Sequence, residues 1–338
     1  MTILMTGLCE KGADQIWKQC NDAMYAQGVT WLEEAAYAGD AEAWFFLGHC
    51  YSWGDGAVGF NEKKAYECYL RGASAGSARA VLGALRAGQY DEQMKQSARY
   101  SIEECYRQVR DAAEMGDVYA AWQMGEAVEW EDLADYMPQT ESAREQCLFW
   151  YERAADGGII PAMVKMGKCC QNGTYREKDE KEALRWANQC AASGEVWGLF
   201  QMGEHYRQEE DWEAAFQYDY AAAKQGSSRA MLYLGQMYLN GQGTERDIQA
   251  AVQALEGAAA RNEAESFEEL GNLFYQDELV ERDDEKAFYW YGKAYAAGIK
   301  EAALPLARLY LRPSDEQDTV RAEKLLREAA GIETDGQA

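Results

Sequence analysis

The sequence is poor in basic residues, with 33 Lys and Arg against 58 Asp and Glu, and its formal net charge is −25 over 338 residues. Proteins that bind nucleic acid need cationic side chains to neutralise phosphates, and anionic membrane surfaces repel an acidic protein. Long apolar runs are also absent, because no stretch approaches the roughly 18 residues of a membrane-spanning helix. Glu10, Lys11 and Asp14 interrupt the N-terminal segment before a secretory signal could form. These absences exclude nucleic-acid and membrane partners and predict a cytoplasmic protein.

Proline and histidine are scarce too, at 4 and 2 residues. Few prolines and many Ala, Leu, Glu and Gln residues favour α-helix. His49 and His205 leave little material for histidine-based catalysis, and no CxxC or HExxH spacing indicates a metal site. The nine cysteines are odd in number and irregularly spaced, so we expect buried thiols rather than a disulfide framework. The sequence predicts no catalytic residues, no metal and no cofactor, and therefore a protein that is not an enzyme.

The sequence does contain a clear internal repeat. A motif of Leu or Met followed by Gly recurs six times, and from Gly125 onward its glycines are spaced by 42, 36, 32 and 36 residues. A second motif, two alanines followed by a glycine, precedes most copies by nine residues, as Gly39 precedes Gly48. In the final copy Ala307 replaces the glycine. Self-similarity at this period is typical of stacked helical repeats.

The spacing within one unit indicates its secondary structure. Ala43, Leu47 and Tyr51 recur at i, i+4 and i+8, which gives one apolar stripe along a helix. Glycine inside a helix costs about 1 kcal/mol relative to Ala, so its repeated placement predicts close approach of a neighbouring helix. A second helix follows a glycine-rich turn. Its predicted N-cap is Asn61 in one unit and Asp247 in another, and its predicted ends lie at Gly76 and near Asn262.

These motifs resemble the Sel-one-like repeat (SLR) family, which is related to the tetratricopeptide repeats. The resemblance rests on the period of about 36 residues and on the turn that is seen in Tyr51-Ser-Trp-Gly-Asp-Gly56 and Tyr238-Leu-Asn-Gly-Gln-Gly243. It also rests on the Trp-Tyr pattern of the second helix, as in Phe149-Trp-Tyr151, and it covers residues 41 to about 331. The resemblance implies an all-α fold, a right-handed α/α superhelical solenoid of about seven to eight helix-turn-helix repeats. It also implies that the first helix of each pair lines the concave face.

The domain organisation follows from where the repeats are regular. We expect residues 1–40 to form a degenerate N-terminal helical pair, 41–331 the solenoid, and 332–338 a disordered tail. The units near 78–117 and 118–158 are irregular, because Ala87 to Ser101 is a long connector and Glu131 to Thr140 is an insertion. A repeat array needs such end caps because its terminal faces are otherwise exposed.

Candidate partner-binding residues are those that the register places on the concave face. Phe45, Trp122 and Phe200 would form an apolar ladder, flanked by Glu126, Glu129 and Glu204, and this set could grip a basic, amphipathic segment. The full candidate set shares this register and comprises Phe45, His49, Trp122, Glu126, Glu129, Phe200, Glu204 and Arg207. The alternative is that the ladder packs between adjacent first helices.

Two classes of function remain open at this stage. The first is a non-enzymatic scaffold or adaptor, expected to be monomeric, that binds another protein or peptide on the concave face; this is what the SLR resemblance implies. A narrower form is an accessory subunit or an immunity-type protein that neutralises a basic effector. The second is an enzyme with an unrecognised site, which a closed pocket of strongly shifted titratable groups would favour.

Overall fold

A computed structural model of the protein describes residues 5–19, 22–54, 58–130, 143–276, 279–311 and 319–329. Within these ranges the chain folds into nineteen α-helices and one short 3₁₀ helix, and it contains no strand. The insertion at 131–140 and the predicted tail at 332–338 lie outside the described residues. None of the described helices is both long and apolar enough to cross a membrane.

The helices follow one another with short connections. Their bounds are α1 Gly7–Trp17, α2 Asp22–Tyr37, α3 Ala41–Trp53, α4 Glu62–Ala75, α5 Ala78–Arg86, α6 Glu92–Ser97, α7 Ile102–Glu114, α8 Val118–Glu129, α9 Ala143–Asp156, α10 Ile160–Asn172, α11 Glu180–Ala192, α12 Val196–Gln208, α13 Trp212–Lys224, α14 Ser228–Asn240, α15 Ile248–Ala259, α16 Ala264–Tyr275, α17 Asp284–Ala296, α18 Ala303–Tyr310 and α19 Thr319–Ala329.

The chain divides into two compact units, Met1–Gly198 and Leu199–Ala338. In the first unit α1 packs on α2, α3 on α4, α8 on α9 and α10 on α11, while α5 packs on α7 with the short α6 between them in sequence. In the second unit α14 packs on α15, α16 on α17 and α18 on α19. The predicted all-α fold of repeated helix pairs is confirmed. The division into cap, solenoid and tail stays a prediction.

Capping residues set the ends of the second helices as the sequence predicts. The side chains of Asn61 and Asp247 accept hydrogen bonds from the main-chain N–H of Lys64 and Ala250, at 3.0 and 2.9 Å. A side-chain cap of this kind stabilises a helix by about 1 kcal/mol. At the other end Gly76 has a φ of 102°, a left-handed conformation that glycine adopts without strain.

The glycines of the first helices allow a close approach by the second helix of the same pair. A Cβ atom on Gly48 would lie 2.6 Å from the ring of Tyr69, and one on Gly235 would lie 2.6 Å from the side chain of Leu255. Both distances are too short for carbon atoms that are not bonded to each other. The packing reason predicted for these glycines is therefore confirmed, and the neighbour is a large side chain of the pair's own second helix.

Eight cysteines lie within the described residues, and all eight are buried. Burial raises the pKa of Cys68, Cys105 and Cys147 to about 12, so these thiols stay protonated at neutral pH. They behave as small apolar core residues, as the sequence predicts. Cys20 lies outside the described residues.

Candidate protein-binding site

In the first unit a tryptophan from α1 packs against two of the predicted binding residues, His49 and Trp122. Phe45, His49 and Trp122 expose only 1%, 7% and 4% of their surface. The ring of Trp17 lies 5.6 Å from that of His49 and 5.8 Å from that of Trp122, measured between ring centres. Phe46 completes the cluster, with its ring centre 5.1 Å from that of Trp17. This face of the first unit is therefore covered by the chain's own N-terminal helix.

Polar contacts hold the end of α1 in this position. The hydroxyl of Tyr119 on α8 donates a hydrogen bond of 2.5 Å to the carboxylate of Asp14. The ammonium group of Lys18 lies 2.8 Å from the same carboxylate and 5.5 Å from the centre of the Tyr119 ring. Burial and the neighbouring Asp14 raise the pKa of Tyr119 well above its ordinary value. The neutral hydroxyl therefore remains a donor to Asp14 throughout the physiological pH range.

The predicted acidic residues of the first unit already have cationic partners. An Arg86 guanidinium nitrogen lies 3.1 Å from the Glu126 carboxylate. Glu129 forms an ion pair with Lys165 and accepts a hydrogen bond of 2.7 Å from the hydroxyl of Tyr151. The charge that these two glutamates would present to a basic partner is therefore largely neutralised within the protein.

In the second unit the three candidate residues Phe200, Glu204 and Arg207 lie on α12, and all three are half-buried. The guanidinium of Arg207 is 5.5 Å from the ring centre of Phe200 and only 3.7 Å from that of Tyr233 on α14. It also forms an ion pair with Asp219 on α13, whose side chain is fully buried. The structure thus brings Phe200 and Arg207 together, in a cluster that includes two residues the sequence analysis did not select.

Asp219 occupies a position that is apolar or aromatic in other helix pairs. A Cβ atom on Gly203 would lie 2.5 Å from its carboxylate oxygen. Opposite the equivalent glycines of four other pairs stand Tyr69, Tyr151, Leu255 and Tyr291. All five side chains come seven positions before the residue that ends the second helix with a positive φ, namely Gly76, Gly158, Gly226, Asn262 and Gly298. Counting back from that residue would have identified Asp219 as the exception.

Burial raises the pKa of the Asp219 carboxyl to about 6, although the adjacent Arg207 opposes the shift. The Oδ1 atom of Asp219 and the Nη2 atom of Arg207 are buried and have no hydrogen-bond partner among the described residues. A buried polar atom without a partner lowers stability, because it has lost its hydration. The pair is therefore a costly arrangement for this helix pair.

A pH dependence of stability follows from Asp219. Its pKa rises from 3.8 to about 6 on folding, so the folded protein binds this proton more tightly. The stabilisation is complete below about pH 4 and is lost as the pH rises through about 6. Relative to the Asp219→Leu/Arg207→Leu variant, we expect the free energy of unfolding of the wild type to fall by up to about 3 kcal/mol between pH 4 and pH 7. Urea denaturation at each pH measures this, and a difference that does not change with pH would contradict it.

A cavity of about 410 Å³ lies beside the Arg207–Asp219 pair, within the second unit. Its lining combines apolar rings with groups of both charges and includes Arg207, Trp212, Tyr233, Gln236, Leu239 and Glu269. The side-chain amide of Gln236 donates a hydrogen bond of 2.9 Å to Glu269. The volume falls within the range of ligand-binding pockets, which combine an apolar lining with a few polar groups.

Acidic side chains lie close to one another around α16, the helix that contributes Glu269 to the cavity. Burial raises the pKa of Glu268, next to Glu269 on α16, and the nearby charges of Glu301, Glu269 and Glu265 raise it further. Carboxylates that repel one another in this way favour the approach of a cation. No group of three or more His, Cys, Asp or Glu side chains in the described part of the chain is arranged to hold a metal ion.

Comparison with known proteins adds a family assignment. The model of the Sel1 repeat matches seven segments that together span well over half of the chain, at residues 23–40, 41–77, 118–159, 160–195, 228–262, 268–299 and 301–330. The α12–α13 pair falls between two of these segments. A search of curated proteins finds no match.

Solved structures resemble the chain at low sequence identity. A protective antigen of uropathogenic Escherichia coli with an SLR fold aligns over 90% of this chain with 21% identity and a TM-score of 0.66. This chain covers 64% of that protein, which is less than two thirds of its length. A Sel1 repeat protein from Oxalobacter formigenes aligns over 68% of this chain and 94% of its own, with 23% identity and a TM-score of 0.52. These likenesses show the fold.

An immunity protein from Pseudomonas aeruginosa matches less well. It aligns over 62% of this chain and 81% of its own, with 22% identity and a TM-score of 0.36. A score this low does not support a common arrangement of the helices.

Proposed function

The chain belongs to the Sel1 repeat family, and from this premise we propose that it is a non-enzymatic scaffold that binds a basic segment of another protein. The partner segment would lie against the first helices of the second unit. We define this first-helix surface by residues that lie on α12, α14 and α16, namely Phe200, Glu204, Arg207, Tyr233, Gln236, Leu239, Glu268 and Glu269.

The observation that carries the proposal is a cavity lined by the rings of Trp212 and Tyr233 and by the carboxylate of Glu269. The cavity lies on the first-helix surface and Glu269 lines it, while Glu268 is the preceding residue on α16. Complementary charge speeds association and selects partners, while desolvated aromatic side chains supply most of the binding energy. A basic, partly apolar segment fits both features. The net charge of −25 acts in the same direction at longer range.

Three of the binding residues predicted in the first unit are more deeply buried than those in the second. His49 and Trp122 would contact a partner only after Trp17 had left its site, and Phe45 is 1% exposed. Their role as binding residues stays a prediction. Phe200, Glu204 and Arg207 are only half-buried. We therefore place the partner on the second unit, whether the partner is a client protein or a basic effector that binding would neutralise.

The test uses charge reversal on and away from the first-helix surface. A partner is first captured from native cell lysate and then titrated against Glu204→Lys and Glu268→Lys variants by calorimetry. We expect each variant to bind about tenfold more weakly, which is about 1.4 kcal/mol, and the difference to shrink at high salt. Glu256→Lys, an exposed position on α15, makes the same charge change elsewhere and should bind within about twofold of the wild type. If Glu256→Lys weakens binding as much as the other two, the assignment to this surface is wrong.

A further inference from the structure

The Arg207–Asp219 pair does not serve the stability of its helix pair. At the equivalent position four other pairs use Tyr or Leu, which fill the space opposite the glycine without burying a charge. Replacing a buried ion pair by apolar residues of similar size is often neutral or stabilising. The next repeat shows such a replacement, with Leu255 opposite Gly235 and Leu239 four residues after that glycine. A charged pair in place of apolar residues lowers the stability of this helix pair, which indicates a role in binding.

The ion pair with Asp219 holds the guanidinium of Arg207 in a fixed position. Asp219 binds one end nitrogen of Arg207, and the centre of the Tyr233 ring lies 3.7 Å from the Arg207 Cζ atom, so two neighbouring side chains hold the guanidinium. The Arg207 side chain is only 11% exposed, and it forms part of the cavity wall. A donor that is already fixed loses little entropy when a ligand binds. Asp219 also balances the charge of Arg207, so the guanidinium need not repel a cation nearby.

The cavity therefore offers two distinct polar functions and an apolar body. Arg207 can donate hydrogen bonds, Glu269 carries a negative charge, and Trp212 and Leu239 supply apolar surface. We propose that the cavity binds one arginine or lysine residue of a partner polypeptide, with Glu269 as the counter-ion of its side chain and Arg207 as the donor to its main-chain carbonyl oxygen. The apolar stem of the basic side chain lies on Trp212 and Leu239. This inference rests on the proposed function and names the residue type that the first-helix surface selects.

An experiment with defined peptides tests the roles of Glu269 as counter-ion and Arg207 as hydrogen-bond donor separately. The probes are fluorescein-labelled ten-residue peptides in a Gly/Ser background with one central arginine, or with citrulline, its uncharged isostere, at the same position. Fluorescence anisotropy at low salt measures the affinity of each. The wild type should prefer the arginine peptide by about tenfold. Glu269→Gln, which keeps the amide contact with Gln236, should reduce this preference to about twofold. Glu256→Gln, an exposed change of the same kind on α15, should leave the preference intact.

The double variant Asp219→Leu/Arg207→Leu tests the donor. It copies the next repeat and should remain folded, with a helical circular dichroism spectrum and a urea midpoint at pH 7 no lower than that of the wild type. It should bind both peptides about tenfold more weakly while keeping the preference for arginine, because the lost contact is to the main chain. If the folded double variant binds both peptides like the wild type, the pair has no binding role.

The remaining outcomes separate this inference from the function on which it rests. Equal binding of the arginine and citrulline peptides by the wild type would overturn the cation site. If the captured partner still depends on Glu204 and Glu268 in that case, the scaffold function stands and only the assignment of this cavity fails. If partner binding does not depend on Glu204 or Glu268 either, both proposals fail.

Discussion

Replacing Trp17 by alanine should lower the free energy of unfolding of the first unit by about 3 to 5 kcal/mol. The side chain is 2% exposed and packs in one cluster with the rings of Phe46, His49, Tyr119 and Trp122. Its removal leaves a void among rigid rings that cannot collapse to fill it, and it detaches α1 from α3 and α8. Urea denaturation followed by circular dichroism measures the loss.

A matched control is Trp130→Ala. Trp130 follows α8, is 62% exposed, and lies 5.2 Å from the Arg86 guanidinium, measured from the ring centre. Its truncation removes the same side chain without opening a cavity, so we expect a change within about 1 kcal/mol. Equal and small effects at the two positions would show that α1 is not docked on the first unit in solution.

Replacing Arg79 by methionine should lower the free energy of unfolding by about 3 to 5 kcal/mol at pH 7. The Arg79 side chain is fully buried, forms an ion pair with Asp117 and has its Nε atom 3.6 Å from the Glu42 carboxylate. Methionine fills much of the volume but leaves Glu42, itself only 6% exposed, without its counter-charge. The variant therefore tests charge rather than packing. Its stability is measured by urea denaturation.

The stability of Arg79→Met should also depend on pH, because Glu42 loses its counter-charge. Burial raises the pKa of Glu42, and Arg79 opposes that shift; without Arg79 the pKa rises further. Because a raised carboxyl pKa favours the folded state at low pH, the deficit of Arg79→Met should shrink as the pH falls from 7 towards 5. Arg107→Met removes an arginine whose side chain is 60% exposed and pairs with Glu104, and it should change stability by less than about 1 kcal/mol at either pH. A deficit for Arg79→Met that is constant with pH would contradict this account.

The helix pairs could be predicted from the sequence because their determinants are local. A glycine within the first helix, a capping side chain such as Asn61 and a left-handed residue such as Gly76 each act within a few turns of the chain. The same register placed Phe45 and Trp122 together on one face. It could not show what covers that face. Trp17 lies far from Trp122 along the chain, and α1 carries no repeat motif that would predict their contact.

The cluster around Asp219 was missed for a related reason. Counted forward from the first-helix glycine, the register changes with the length of the turn, so Asp219 follows Gly203 more closely than Tyr69 follows Gly48. Arg207 was selected as a candidate from its own register, but its ion pair with Asp219 depends on how two helices pack. A charged residue in the middle of α13 otherwise resembles an ordinary solvent-facing position.

The contact between α1 and α8 has a consequence for biosynthesis. Most contacts in a helical repeat array join neighbours in sequence and can form as the chain is made. Asp14 and Tyr119, however, are 105 residues apart, and at about 5 to 20 residues per second the ribosome needs roughly 5 to 20 s to bridge them. During that interval Trp17 has no finished site, and the nascent segment exposes an apolar surface of the kind that chaperones bind. We therefore expect α1, although it is made before α8, to reach its native position only after α8 has been synthesised.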